Sequence, residues 1–116
     1  MAEQNCLFCK IVAGEIPAAK IFEDERAVVF RDINPQAPTH ALVIPRKHVA
    51  SLDEAGEADE ALLGHLLLVA ARVARDEGHA DGGYRTVVNT NADAGQTVFH
   101  IHVHLLGGRR LTWPPG

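Results

Sequence analysis

Long apolar runs are missing from this sequence. The longest uninterrupted one is Leu66–Ala71, far short of the roughly 20 residues a membrane helix needs, so no membrane span is expected. A basic excess is missing too: 11 Lys and Arg stand against 15 Asp and Glu, for a formal charge of -4. General affinity for nucleic acid needs a basic face, so nucleic acid is not the expected partner, although local groups can still bind a small anion. The start, from Met1 to Cys6, lacks the basic stretch and apolar core of a targeting leader, and a cytoplasmic protein is expected. Cysteine is nearly absent, with Cys6 and Cys9 alone. Two thiols make no disulfide framework. In a reducing compartment the C-x-x-C spacing favours a metal site or a redox pair, with two surface thiols of no role as the bland alternative.

What is present fits one small globular domain spanning residues 1–116, with 47% hydrophobic and 22% charged residues. No repeat, linker or low-complexity tract divides it. Cys6–Ala13 predicts a short helix stopped by Gly14 and Pro17. Strands are predicted at Lys20–Glu23, Ala27–Asp32 and Thr39–Ile44, the last ended by Pro45. Ser51–Glu54 has the capping-box pattern. Glu57–Glu77 predicts the long helix, with Leu62, Leu63, Leu66, Leu67, Val69, Ala70, Val73 and Ala74 as its apolar stripe. Two more strands follow at Arg85–Asn89 and Val98–Leu106. Five strands and two helices without βαβ alternation predict an α+β fold with an antiparallel sheet.

The stretch from His100 to Leu106, H-I-H-V-H-L-L, is the most informative. Its period of two puts His100, His102 and His104 on one face of a strand, with Ile101, Val103 and Leu105 on the other. Three readings compete: a solvated polar face, a three-histidine metal site with an open position, or phosphoryl-type chemistry by a neutral imidazole. Histidine suits the last, because an ordinary pKa near 6.5 leaves a nitrogen lone pair free at neutral pH. The flank favours it as well. Gly95 allows close backbone approach, Gln96 offers an amide and Thr97 a hydroxyl, all able to donate to phosphate oxygens.

H-φ-H-φ-H-φ-φ is the signature of the histidine triad family, and the likeness extends along the chain. G-E-I-P from Gly14 to Pro17, F-E-D from Phe22, Q-A-P-T-H from Gln36 to His40, L-V-I-P from Leu42 to Pro45, L-L-G-H from Leu62 to His65 and W-P-P-G from Trp113 to Gly116 all resemble the Hint branch. The resemblance implies a HIT-like fold whose sheets join across a homodimer, and a purine nucleoside phosphoramidase acting on AMP or GMP phosphoramidates. It implies His102 as the nucleophile on the α-phosphorus, His104 as a donor to a phosphate oxygen and His40 as a further active-site histidine. Thr97 stands where serine is usual and keeps the hydroxyl beside the leaving group. Asp32 matches the carboxylate on the ribose hydroxyls and Asn89 a phosphate or ribose contact. Phe8, Ile11, Ile16, Phe30 and Ile33 match an apolar slot for the base.

Bacterial relatives carrying this C-x-x-C resemble zinc binders, which implies Zn2+ held by Cys6, Cys9, His48 and His100. Such a closed two-thiolate, two-imidazole set is structural and leaves catalysis without a required metal. The W-P-P-G tail resembles the segment that reaches toward a partner's site. It speaks against the alternative of a dinucleoside polyphosphate hydrolase. A nucleotide-binding module acting through protein partners is the rival from another class.

Overall fold

A computed structural model describes residues 5–116. Met1–Gln4, part of the stretch read above as carrying no leader, lie outside them. The first element is helix α1 (Leu7–Val12), where the Cys6 sulfur accepts the Cys9 N–H at 3.3 Å as a cap. Gly14, at φ +76°, turns the chain out of it. Strands β1 (Lys20–Glu23), β2 (Ala27–Arg31) and β3 (Thr39–Pro45) follow. Ser51 Oγ then accepts the Glu54 N–H at 3.3 Å, the capping half of the predicted box. Helix α2 (Glu60–Asp76), β4 (Tyr84–Val87) and β5 (Val103–Gly107) complete the chain. The sheet is wholly antiparallel with strand order β1-β2-β3-β5-β4.

Both sheet faces are covered around β2 and β3, which explains why those strands read as continuous apolar runs. Ala27, Val29, Ala41, Val43, Val103 and Leu105 pack under Leu66, Val69, Ala70 and Val73 of α2. Val28, Phe30, Leu42 and Ile44 point the other way, against Phe8 and Ile11 of α1. Strand alternation therefore places every second residue of β2, β3 and β5 on the α1 face, including His40 and His104. Leu42 lies directly opposite His104 and His40 opposite Leu106.

Four sequence expectations need correction here. The last strand begins at Val103 rather than Val98, because the β3 ladder runs out at Pro45, which has no N–H to give. The displaced segment bonds instead to the following loop, with Ile101 N–H donating to Val49 O at 2.7 Å. β4 ends at Val87 rather than Asn89, since its partner His104 is near the start of β5. The long helix opens with a 3-10 turn at Glu57–Asp59 before its α-helical part. Leu67, assigned to the apolar stripe, is 49% exposed, and its neighbour Leu68 is 71% exposed.

Gly107, at the end of β5, has no room for a side chain. A Cβ there would sit 2.7 Å from the His79 ring. Gly107→Ala should cost about 1–3 kcal/mol in urea unfolding, the usual penalty of overpacking. Gly64→Ala on α2 has open space around it and should instead stabilise by up to about 1 kcal/mol.

Candidate active site and metal centre

The three histidines predicted to share one face separate into two sites. His100 turns toward the N-terminal helix. Its Nδ1 lies 3.3 Å from Cys6 Sγ and 3.5 Å from Cys9 Sγ, and His48 Nδ1 lies 3.3 Å from Cys9 Sγ. A tetrahedral ion with Zn–S near 2.3 Å and Zn–N near 2.05 Å separates its sulfur and nitrogen ligands by about 3.6 Å, so these residues fit zinc. His100 Nε2 donates to Pro45 O at 2.8 Å, which leaves the Nδ1 lone pair facing the sulfurs. Second-sphere carbonyls do this for ligating histidines generally. Burial pushes the His100 pKa down to about 4, so the ring is neutral, as a ligand must be.

His102 and His104 face the other site. His102 is 8% exposed, and its Nδ1–H donates to the carbonyl of His100 at 2.8 Å. That bond leaves the lone pair on Nε2. Burial lowers the His102 pKa, outweighing the opposing effects of that bond and of Asp32. The ring is therefore neutral at physiological pH, with a lone pair on Nε2 of the kind a base or nucleophile needs. Phe8 packs edge-on against it, with ring centroids 5.1 Å apart.

A second chain of bonds sets His40 and His104. The Gln36 N–H donates to His40 Nδ1 at 3.0 Å. The His40 proton must then sit on Nε2, from which it reaches His104 Nδ1 at 3.0 Å, with Asp32 Oδ2 at 3.4 Å. His104 consequently carries its own proton on Nε2, as a donor. Asp32, His40 and His104 lie close enough together to suggest a cation site, but the Gln36 bond argues otherwise. A metal on His40 Nε2 would displace the proton that this peptide N–H keeps there.

Beside this cluster opens a cavity of about 420 Å³ lined by Phe8, Ile11, Ile16, Phe30, Asp32 and Ile33, among others. All five residues assigned to the base slot are there, with Asp32 at the same cavity. Such a volume suits a small organic ligand. Ile33 is fully exposed and forms its rim, while Phe8 and Phe30 meet edge to face with centroids 5.4 Å apart.

The remaining expectations fare unevenly. Gly95, at φ +86°, needs its glycine, and Thr97 follows it as an exposed residue. Asn89 is half-buried just beyond β4. Gln96 does not offer its amide to a ligand: Nε2 donates to Ala50 O at 2.8 Å and Val98 O at 3.1 Å, and Oε1 accepts the Asn91 N–H at 2.8 Å. Its role is to hold the loop, since a buried amide must satisfy its donors. A backbone carbonyl fixing the tautomer of His102 is expected on chemical grounds, but which peptide groups act here, those of His100 and Gln36, is not legible in the sequence, because a main-chain donor or acceptor leaves no mark on residue type.

The profile of the HIT domain family matches residues 13–111. This chain belongs to that family. A HIT-like protein of Synechocystis sp. is 53% identical over 116 residues, covering 100% of both chains. The crystal structure of a HIT family hydrolase from Legionella pneumophila superposes with TM-score 0.95 at 55% identity, covering 97% of this chain and 100% of that one. A Zn-bound histidine triad family protein from Mycobacterium smegmatis has TM-score 0.77 at 36% identity, covering 90% of this chain and 76% of that one. Two of the similar structures, from Legionella pneumophila and Clostridium thermocellum, are themselves HIT family hydrolases.

Acid should weaken the HIT domain in a defined window. Burial, then the neighbouring His102 and His40, lower the His104 pKa from 6.5 to about 4. The unfolded chain binds the proton more readily, so this contribution is fully present above pH 6.5 and is lost as pH falls toward 4. Carboxylates with lowered values, such as Glu77, add their loss only near and below their ordinary range. His104→Asn should therefore flatten the slope of unfolding free energy between pH 6.5 and 4.5, measured by urea titration at several pH values. An unchanged slope would contradict the assignment.

Proposed function

We propose that this protein is a nucleotide hydrolase of the phosphoramidase type, cleaving the P–N bond of AMP or GMP phosphoramidates through a nucleotidyl-His102 intermediate. The observation that carries this reading is the His102–His100 bond, which gives a buried neutral imidazole with its lone pair on Nε2. Nε2 attacks the α-phosphorus, the P–N bond breaks, and the amine leaves with the bonding pair and takes up a proton. Water then attacks the phosphorus, the P–Nε2 bond breaks, and the nucleoside monophosphate leaves with His102 restored. Splitting the displacement in two lowers each barrier.

The surroundings support each partial step. His104 Nε2–H is the donor for a phosphate oxygen, where charge develops. Asp32 takes the ribose hydroxyls, and the apolar slot grips the base by packing, which accommodates adenine and guanine alike. Asn89, Gly95 and Thr97 are assigned to the phosphate end, with the Thr97 hydroxyl beside the leaving amine. Zinc, where bound, supplies a structural crosslink between α1 and the end of the sheet through Cys6, Cys9, His48 and His100. Those four residues complete a tetrahedral set with no place for water, so the chemistry rests on histidine.

The homodimer belongs to the same proposal. Leu67 and Leu68 stand exposed on α2, and Trp113 in the tail is 81% exposed. A second copy of this chain would cover that helix face, join edge strand β4 to its counterpart and receive the tail near its own site. No helix among the described residues is long and apolar enough to cross a membrane, and a cytoplasmic enzyme remains our reading.

The test is steady-state hydrolysis of adenosine 5′-phosphoramidate. The wild-type protein should turn it over without added metal, and His102→Ala should lose at least about 10³-fold in kcat while still binding AMP. Binding with no turnover in the wild-type protein would replace the enzyme with a nucleotide-binding module. Metal analysis completes the test: about one zinc per chain is expected in the wild-type protein and none in Cys9→Ser, with a lower melting temperature in the variant.

A further inference from the structure

A second polar network lies on the opposite side of the strands that carry Asp32 and His40. Arg31 donates to Glu77 through both guanidinium nitrogens, Nη1 to Oε1 at 2.6 Å and Nη2 to Oε2 at 3.0 Å. The Thr39 hydroxyl donates to Glu77 Oε1 at 3.1 Å. Having given its only proton away, that hydroxyl accepts from His79 Nε2–H at 2.7 Å. The His79 ring in turn lies against Gly107 at the end of β5. Glu77 is the C-cap of α2, so one carboxylate ties the end of the helix to β2 and β3, and through His79 to β5.

The sequence neighbours give this network its meaning. Arg31 immediately precedes Asp32, and Thr39 immediately precedes His40. Because side chains alternate across a strand, anchoring Arg31 and Thr39 on the helix side sets where Asp32 and His40 emerge on the other. The two backbones are also bonded directly, Asp32 N–H to His40 O at 2.9 Å. Bidentate guanidinium–carboxylate pairs fix orientation as well as distance. The Arg31 bond holds the Glu77 carboxyl below its usual range, so the group is ionised across the working pH.

We propose that Glu77 is a positioning residue for the Asp32–His40 pair, and so for recognition of the ribose, although it lies on the far face of the sheet from the ligand. This rests on the reading above that Asp32 takes the ribose hydroxyls. Two consequences follow. Loss of the Glu77 charge loosens Asp32, and it shifts the His40–His104 hydrogen bond.

The experiment compares Glu77→Gln with Asp24→Asn. Asp24 also ties α2 to the sheet, by accepting from His65 Nε2 at 2.7 Å and from the Arg26 and Ala27 N–H groups, but it does so at the other end of the helix. AMP and 2′,3′-dideoxy-AMP are titrated by calorimetry below the melting temperature of each variant. Glu77→Gln should weaken AMP by about three- to tenfold and leave the dideoxy nucleotide within twofold of wild type. Asp24→Asn should leave the ratio of the two affinities unchanged, and Thr39→Ser should retain it where Thr39→Val does not. A folded Glu77→Gln with the wild-type ratio would overturn the proposal. If wild-type protein itself does not prefer AMP, the ribose role of Asp32 fails, and the imidazole 15N shifts decide the positioning claim. Movement of the His40 and His104 signals in Glu77→Gln but not in Asp24→Asn supports it, and no movement overturns it.

Discussion

A carbonyl oxygen 2.8 Å from His102 Nδ1 decides which nitrogen of that ring carries the proton. With the proton held there, the other nitrogen is a lone pair and the residue can act on phosphorus. The carbonyl belongs to His100, whose ring is itself immobilised between Pro45 O and the two cysteine sulfurs. One residue therefore faces the cysteine pair with its side chain and His102 with its main chain. The N-terminal helix, the end of β3 and the His102 imidazole are joined through it. Phe8 reinforces the join by packing against both His100 and His102 while forming a wall of the apolar cavity.

The His40–His104 ring pair is governed in the same manner. A peptide N–H at Gln36 sets His40, and His40 sets His104. Neutral rings with dictated tautomers are inexpensive to keep buried, whereas buried imidazolium ions would need counter-charges. Asp32 is the carboxylate beside these rings among the described residues, and its Oδ1 is engaged by the Asn34 N–H at 2.8 Å. The site is thus arranged as a set of fixed dipoles before any ligand arrives, which is the condition under which electrostatic stabilisation is most effective.

Much of this was legible from residue order. Apolar periodicity located both helices and all five strands, and the family resemblance pointed to His48 and His100 beside Cys6 and Cys9, whereas the H-x-H-x-H spacing alone placed three histidines together that the fold divides between two groups. Two kinds of information were not. Strand ends depended on what the neighbouring strand could offer, so the missing N–H of Pro45 shortened β5 in a way that the local pattern of residues 98–102 did not reveal. Roles played by peptide groups were invisible too, and Gln96 misled because an amide that looks available in sequence is consumed by Ala50 and Val98 in space. The Glu77 network was hidden for a related reason: Arg31, Thr39 and Glu77 are ordinary polar residues until the fold aligns them behind Asp32 and His40.

The central claim is that the backbone assigns the imidazole protons. Long-range 1H–15N correlation spectra of the ligand-free protein at pH 7 test it most directly. The account predicts a pyridine-like Nε2 and pyrrole-like Nδ1 for His102, and the reverse arrangement for His104. A His102 ring protonated on Nε2, or charged at that pH, would leave no lone pair to attack phosphorus and would contradict it.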